Sequence, residues 1–141
     1  MLASYPMPRR KALPVPMIEE DQYERLHALA QRALNRLPDV AQFLLDELER
    51  AQIAPKPGLR SGTVTMGTRV RFEDLSTGRM HDVRLVYPEE ADISTGRISV
   101  LTPVGAALLG LRKGQRMTWT TPGGEVRGLK ILGVGEIGGN I

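Results

Sequence analysis

The spacing of hydrophobic residues divides the chain into a part with helical periodicity and a part with strand periodicity. Between residues 20 and 51, hydrophobic residues recur at steps of three and four, which is the period of an amphipathic α-helix. Pro38 interrupts this series, because proline disfavours helical geometry at the residue before it. The pattern therefore predicts two helices, and the short connection between them makes them antiparallel. Their hydrophobic stripes are Tyr23, Leu26, Ala30, Ala33 and Leu37 in the first helix, and Val40, Phe43, Leu44, Leu48 and Ala51 in the second.

Both predicted helices begin with recognisable signals. The first helix is expected to begin near Glu20, since carboxylates here lie at the positive end of the helix dipole. Asp39 is predicted to cap the second helix, with Gln42 three residues later as in a capping box. Helices of roughly 14–16 residues extend such a hairpin by about 20–24 Å. The tip of the predicted hairpin consists of Arg36, Leu37, Pro38 and Asp39.

After residues 54–62, whose prolines and glycines predict a linker, the hydrophobic period becomes two. Alternation of hydrophobic and polar side chains is typical of an antiparallel sheet with one buried face and one solvated face. The alternating hydrophobic positions are Val70 and Phe72, then Val83, Leu85 and Tyr87, then Ile98 and Val100, then Met117 and Trp119, and finally Leu129 and Ile131.

The segment from Pro103 to Leu111 breaks this alternation and contains good helix formers. Proline suits the first helical turn, so the segment predicts a short helix on the hydrophobic face of the sheet. Pro122 and Gly123 match the central pair of a type II turn, in which glycine supplies the positive φ. The glycine-rich end of the chain, from residue 133, is not expected to pack well. A sheet packed on one helix predicts an α+β fold.

The charge distribution follows the predicted segments. Residues 1–17 contain four prolines and carry a charge of +3, which predicts an extended leader. The helical hairpin, residues 18–53, carries −4, and residues 54–141 carry +4. The sheet domain is predicted to occupy residues 63–141, after the linker. An acidic segment followed by a basic one suggests different contacts for each, although ordinary solvated surfaces are the simpler explanation.

Composition excludes several classes of site. Without cysteine the chain has neither disulfides nor thiolate metal sites, and His27 and His81 stand alone. The acids Glu89, Glu90 and Asp92 are expected to form a hydrophilic loop. No metal, cofactor or catalytic residue is therefore predicted. No hydrophobic run approaches the ~20 residues that span a membrane, and no signal peptide is evident. These features fit a cytoplasmic protein without membrane contact.

Several motifs carry a family resemblance. The segments ISV, TPVGAALLG and TPGGEV resemble the C-terminal domain of the Gre family of bacterial transcription factors, and most closely its Rnk branch. The resemblance reaches back through MGTRVRFEDLSTG and LPDVAQFLLDELERAQ, and so covers about Glu20 to Val134. It implies an FKBP-like topology for the sheet domain, a coiled coil for the hairpin, and a protein that docks on RNA polymerase.

The resemblance also implies roles for particular residues. Gre residues that grip the polymerase align with Thr102, Pro103, Val104 and Gly105. For Pro103 and Gly105, a role in setting the backbone geometry alone is an equally good explanation. In Gre factors the coiled coil enters the polymerase secondary channel, and acids at its tip help hold a second metal for RNA cleavage. Here the arm is shorter and the tip has one acid, Asp39. We therefore predict a monomeric regulator that binds polymerase, does not cleave RNA and competes with Gre factors.

The solvated face of the predicted sheet collects five arginines. These are Arg69, Arg71, Arg84, Arg97 and Arg116. Such a stripe suggests weak contact with DNA or RNA phosphates, although contact with an acidic protein surface explains it equally well. An FKBP-like fold adds a further alternative, a peptidyl-prolyl isomerase. Fold does not transfer function, however, and six scattered aromatic residues hardly supply an aromatic pocket.

Overall fold

The computed structural model describes residues 13–55 and 62–135, and the fold is α+β as predicted. Most of the predicted leader, most of the predicted linker and residues 136–141 lie outside the described residues. The helices are α1 (Glu20–Ala33), α2 (Pro38–Glu49) and α3 (Pro103–Leu108). The strands are β1 (Met17–Glu19), β2 (Gln52–Ala54), β3 (Arg69–Asp74), β4 (Met80–Val86), β5 (Arg97–Ser99), β6 (Arg116–Thr120) and β7 (Val126–Gly135).

Helices α1 and α2 pack against each other, and part of each predicted hydrophobic stripe is buried. The buried apolar positions are Leu26, Ala30 and Ala33 in α1, and Ala41, Leu44 and Leu48 in α2. The predicted start of α1 at Glu20 is confirmed. Three of these positions are alanine, whose small side chain allows packed elements to approach closely. The coiled-coil character of the pair stays a prediction.

The predicted cap of α2 is wrong. This helix begins at Pro38, and its N-cap is Leu37, whose side chain makes no capping hydrogen bond. Proline takes the first helical position because its missing N–H would have no partner there in any helix. Asp39 consequently lies inside the first turn, and the Gln42 side chain donates to Asp46 at 2.9 Å. Leu37 leaves the buried stripe and is 40% exposed.

A small parallel sheet joins the chain before α1 to the chain after α2, and no pattern in the sequence predicts it. β1 pairs with β2 from Met17 opposite Gln52 to Glu19 opposite Ala54. The Met17 N–H also donates to the carbonyl of Gly110 at 3.1 Å, which links this sheet to the C-terminal part of the chain. Strands of three residues are too short to display the alternation by which strands are recognised.

The five strands of the main sheet lie in the order β5-β4-β3-β7-β6. The pairs β3–β4, β3–β7 and β6–β7 are antiparallel, whereas β4 and β5 are parallel. The prediction of a wholly antiparallel sheet is therefore wrong at one edge. Parallel neighbours need a longer connection than a tight hairpin. Two short 3₁₀ helices, Pro88–Glu90 and Ile93–Thr95, supply it between β4 and β5.

The loop between β6 and β7 differs from the predicted type II turn. The positive φ lies at Gly124 (90°) and not at Gly123. The Gly124 N–H donates to the Thr121 carbonyl at 2.9 Å, and the Thr121 N–H donates to Glu125 at 2.8 Å. A residue with a left-handed backbone conformation at the end of a three-residue loop matches the twist of the two strands in a hairpin. Strand β7 continues through residues 133–135, so the expectation of poor packing is wrong for these residues.

One continuous hydrophobic core joins the helix pair to the main sheet. Helix α2 packs on α3, and Leu44 of α2 belongs to the same buried cluster as Leu108 of α3 and Ile131 of β7. Each such side chain contributes about 1.5–3 kcal/mol when fully buried. The helices are therefore held against the sheet by shared hydrophobic packing. Within the described residues, no helix combines the length and hydrophobicity needed to cross a membrane.

Candidate functional site

A groove of about 730 Å³ lies between α2 and the edge strand β6. Its lining comes from the connection between α1 and α2, from α2 itself, from β6 and from Pro103, the first residue of α3. The tip residues in this lining are Arg36, Leu37, Pro38 and Asp39. The structure thus brings together the predicted hairpin tip and one member of the predicted polymerase-binding segment, which the sequence separates by more than sixty residues.

Aromatic and aliphatic side chains make much of this groove apolar. Phe43 of α2 and Trp119 of β6 face each other with 6.1 Å between ring centroids and 30° between ring planes. Both rings are half-buried. Pairs at this separation attract each other beyond the effect of buried area. Val40 and Pro122 extend the apolar lining. The sequence indicates only that Phe43 and Trp119 are inward-facing, because nothing local reveals that they meet.

The α2 side of the groove is acidic. Asp39, Gln42 and Asp46 are spaced three and four residues apart, so they follow one side of the helix, and all three line the groove. Helix α2 contains four acidic residues and no basic residue. Asp39 is exposed, and Asp46 accepts the hydrogen bond from Gln42. A partner that enters the groove therefore meets negative charge on one side and aromatic rings on the other.

A buried ion pair forms one end of the groove. The Arg50 guanidinium donates to both carboxylate oxygens of Glu47, at 3.0 and 3.2 Å. The side chains of Arg50 and Glu47 are 13% and 8% exposed. Arg50 also donates to the backbone carbonyl of Pro14 at 2.6 Å and so ties the N-terminal segment to α2. The three-residue spacing of this pair is visible in the sequence, but its burial is not.

The predicted polymerase-binding segment is mostly engaged in its own fold. Thr102 caps α3: its hydroxyl accepts from the Gly105 N–H at 3.0 Å and donates to the Ser99 carbonyl at 2.7 Å. Gly105 is buried, so its effect is on the backbone geometry of the segment and not on a contact at the surface. Val104 is half-buried against the core. Pro103 is exposed in the first turn of α3, as predicted, and presents its ring to the groove.

The five arginines of the predicted basic face do not form one continuous stripe. Arg69, Arg84 and Arg97 lie in one register row across β3, β4 and β5, whereas Arg116 lies on the opposite edge strand. Arg71 forms an ion pair with Asp82 at 2.9 Å. Asp82 also lies 3.9 Å from Arg69, and the Arg84 side chain donates to the Gly67 carbonyl at 2.8 Å. The Asp82 carboxylate offsets part of the positive charge of Arg69 and Arg71, whereas the contact with Gly67 only holds the Arg84 side chain in place.

A second, polar cleft lies between α1 and the loop after β4. Arg25 stacks over the Tyr87 ring at 3.7 Å and pairs with Glu89 at 3.2 Å. Burial raises the pKa of the Tyr87 phenol above its ordinary value, and the positive charge of Arg25 partly opposes this shift. The arrangement attaches the loop to α1. It was missed by sequence reasoning, because Arg25 and Tyr87 lie far apart in the chain.

Two of the three acidic residues of the loop after β4, Glu89 and Asp92, make contacts within the protein. Asp92 accepts hydrogen bonds from the side chain and N–H of Ser94, at 2.6 and 3.1 Å, and these bonds lower the pKa of Asp92. Glu89 is exposed and pairs with Arg25. In the part of the chain that the structure describes, no cluster of three carboxylate or imidazole side chains has the geometry to hold a metal ion.

Comparison with known proteins agrees with the family resemblance that the sequence motifs carry. The family described as "Transcription elongation factor, GreA/GreB, C-term" matches residues 59–136, which is more than half of the chain. The chain belongs to the GreA/GreB family. A second family, described as "Rnk N-terminus", matches residues 17–53, which include α1 and α2. The resemblance to both groups, inferred above from the motifs, is confirmed.

Relatives of this GreA/GreB family member align over most of its length. The "Regulator of nucleoside diphosphate kinase" of Escherichia coli strain K12 is 38% identical over 84% of this chain and 88% of its own. A "Transcription elongation factor GreA" of Syntrophobacter fumaroxidans is 32% identical over 81% of this chain and 70% of its own. A solved structure, "Prokaryotic transcription elongation factor GreA/GreB from Nitrosomonas europaea", is similar with a TM-score of 0.66 and 36% identity, over 85% of this chain and 98% of that one.

Proposed function

We propose that this protein is an Rnk-like regulator of transcription elongation that binds RNA polymerase near its secondary channel. It acts without cleaving RNA and competes with Gre-type factors for the same docking surface. Family membership supports the general role, because the aligned relatives are named as a regulator and as elongation factors. The observation that carries the docking assignment is the groove in which Pro103 and the helix tip face the same space.

The chemistry of the helix tip supports a role without cleavage. Two-metal catalysis needs several oxygen ligands around ions only ~3.5–4 Å apart. The tip offers Asp39 alone, and Asp46, the next acid of α2, lies about 10 Å farther along the helix axis. Arg36 adds a positive charge that repels a cation. With 14 residues, α1 is about 21 Å long, so the arm is short. The regulator would therefore act by occupying space and by its acidic surface.

Substitution of Pro103 by aspartate is expected to weaken binding to core RNA polymerase about tenfold, which corresponds to about 1.4 kcal/mol. The exposed ring is lost from the groove, and a charge takes its place. The fold should be retained, because aspartate is favourable in the first turn of a helix. Affinity is measured by pull-down and titration with core polymerase, and stability by thermal unfolding.

Pro88→Asp is the matched control for the Pro103 substitution. Pro88 also occupies the first turn of a short helix but lies outside the groove, so this variant should bind polymerase like the unaltered protein. Equal losses of affinity in both variants would refute the docking assignment. Loss of the thermal transition in Pro103→Asp would show that Pro103 has a purely structural role.

In a transcription assay with backtracked polymerase, the protein alone is expected to release no 3′ RNA fragment, even at saturation. Added together with a GreA factor, it should slow cleavage in proportion to its occupancy of polymerase. Asp39→Asn should leave this inhibition nearly unchanged, because asparagine keeps the size of this exposed side chain and the acidic side of the groove retains Asp46. The readout is the rate of transcript shortening on a denaturing gel.

Two results of this assay would count against the proposal. Rapid 3′ cleavage by the protein alone, abolished in Asp39→Asn, would mean that the tip carries the metal chemistry of a cleavage factor. A GreA cleavage rate that stays constant at every concentration of this protein would mean that the two proteins do not share a docking surface.

A further inference from the structure

Three arginines lie side by side on the face of the main sheet that points away from the core. Arg69 of β3 is opposite Arg84 of β4, and Arg84 is opposite Arg97 of β5. Val70 and Leu85, which follow Arg69 and Arg84 along the chain, are fully buried, so the arginine side chains point to the other face. Adjacent strands are about 4.8 Å apart, so this arginine row extends over about 10 Å.

The charge of the arginine row is only partly balanced within the described residues. Like charges that face each other across strands destabilise a sheet, so such a row has an energetic cost. Asp82 lies 3.9 Å from Arg69 but pairs with Arg71 at 2.9 Å. In the described ranges, no carboxylate lies within ion-pair distance of Arg84 or Arg97. A negatively charged partner would therefore relieve repulsion that the fold leaves in place.

The surroundings of Arg84 and Arg97 leave both side chains able to bind an anion. The Arg84 guanidinium donates to the Gly67 carbonyl at 2.8 Å, which orients the side chain without neutralising its charge. Arg97 lies opposite Asp92, but the Asp92 carboxylate accepts its hydrogen bonds from Ser94, at 2.6 and 3.1 Å. A guanidinium that is already oriented loses less entropy when it binds a carboxylate through two parallel hydrogen bonds.

An exposed isoleucine lies at the β5 end of the arginine row. Ile93 is 87% exposed, which is the largest exposed fraction among the large hydrophobic residues that the structure describes. It begins the 3₁₀ helix before β5, and two backbone hydrogen bonds of 2.9 Å between Asp92 and Arg97 close this turn. Gly96, with a φ of 78°, ends the 3₁₀ helix. The turn therefore presents Ile93 to solvent from a well-defined backbone.

We propose that the surface formed by Arg84, Arg97 and Ile93 binds a segment of a partner protein that carries carboxylates and at least one apolar side chain. The two arginines require the carboxylates by charge complementarity, and Ile93 provides the apolar contact. Nucleic acid suits this surface less well. A duplex carries a phosphate charge about every 1.7 Å along its axis, and it would bring this charge against Asp82 and Glu73 on the same face.

This surface has the opposite charge to the groove between α2 and β6. The groove is acidic along α2 and lies at the β6 edge of the sheet, whereas the arginine row ends at the β5 edge. A segment whose charge suits one surface is therefore repelled by the other. The inference does not rest on the proposed function, because it concerns a separate surface of the free protein.

Selection of random peptides displayed on phage tests the chemistry of the partner without a sequence chosen beforehand. The full chain is immobilised, and a double variant, Arg84→Gln with Arg97→Gln, serves for counter-selection. Peptides enriched only on the unaltered chain should be rich in aspartate and glutamate and should contain leucine, isoleucine or valine. Synthetic copies of these peptides should bind about tenfold more weakly to the double variant, because it lacks the charges that face their carboxylates.

Ile93→Ser tests the apolar part of the surface. The variant should bind the same peptides about tenfold more weakly, because the peptide then buries less apolar area. Its charge is unchanged, so the remaining affinity should still fall as salt is added. Equal affinity of Ile93→Ser and the unaltered chain would refute the apolar contact.

A matched control for the double variant is Arg79→Gln with Arg112→Gln. Both arginines are exposed and lie outside the arginine row, so the net charge changes equally but the proposed surface stays intact. Peptide affinity should change less than about twofold, because exposed charges beyond a Debye length are largely screened. Thermal unfolding checks that every variant folds. If the double variant unfolds, Arg97→Gln alone keeps the test available, because Arg97 is exposed.

Four results would overturn the proposed surface. The first is enrichment of the same peptides on the double variant, or of peptides without an excess of acidic residues. The second is an equal loss of affinity in the double variant and its control. The third is a DNA duplex that displaces the peptides, which would make the row a nucleic-acid surface. The fourth is self-association of the full chain that the double variant loses, which would assign the surface to a second copy. Polymerase takes no part, so these failures are distinct from failure of the proposed function.

Discussion

Replacing Arg50 by methionine is expected to lower the free energy of unfolding by about 3 kcal/mol. Methionine keeps the aliphatic packing of the arginine stem but removes the guanidinium that donates two hydrogen bonds to Glu47. The Glu47 side chain is only 8% exposed, so water compensates poorly for the lost partner. The variant also releases the Pro14 carbonyl, so the end of the groove loosens with it. Urea unfolding followed by circular dichroism measures the effect.

Two further variants test the cause of the Arg50 effect. Glu47→Leu combined with Arg50→Met should recover most of the loss, since replacing both members of a buried pair by apolar residues is often neutral. Arg71→Met is the exposed control. Its pair with Asp82 is as short, at 2.9 Å, but both side chains are more than one third exposed, so about 1 kcal/mol or less is expected. Equal losses for Arg50→Met and Arg71→Met would show that burial of the pair is unimportant.

Gly105→Ala is also expected to lower the free energy of unfolding by about 3 kcal/mol. A Cβ at this position would overlap the carbonyl oxygen of Ser99 and lie 2.9 Å from the capping hydroxyl of Thr102. The Ser99 oxygen belongs to the backbone and accepts the Thr102 hydrogen bond, so it cannot move aside without loss of the cap. The beginning of α3 and the exposed ring of Pro103 would shift together. Thermal and urea unfolding measure the loss.

Gly123→Ala is the matched control for Gly105→Ala. The nearest atom to a Cβ at Gly123 is the Thr121 hydroxyl oxygen at 3.8 Å, which is an ordinary contact, and its φ is not positive. The free energy of unfolding of the Gly123→Ala variant should stay within about 0.5 kcal/mol of that of the unaltered protein. If Gly105→Ala keeps full stability but loses polymerase affinity, Gly105 contacts polymerase directly, as the family resemblance first implied.

Periodicity predicted the elements that present one continuous hydrophobic face. The steps of three and four residues correctly indicated α1 and α2, and alternation correctly indicated the five strands of the main sheet. Proline was informative where its effect is local, as at Pro103 in the first turn of α3. At Pro38 the same preference decides the start of α2, because proline takes the first helical position and Asp39 therefore lies inside the helix and not at its cap. Family membership also followed from short motifs, since they preserve residue identity along the chain.

Tertiary structure alone decided which distant elements meet. The parallel strands β1 and β2 are three residues each, too short for a pattern, and they form because α1 and α2 return the chain to its starting point. Phe43 and Trp119 are inward-facing in the sequence, but their meeting depends on how α2 packs on α3 beside β6. The bond from Arg50 to Pro14 likewise spans thirty-six residues. A local pattern shows which face one element buries. A groove depends on how several elements pack together, and the residues that determine this packing are distributed over the whole core.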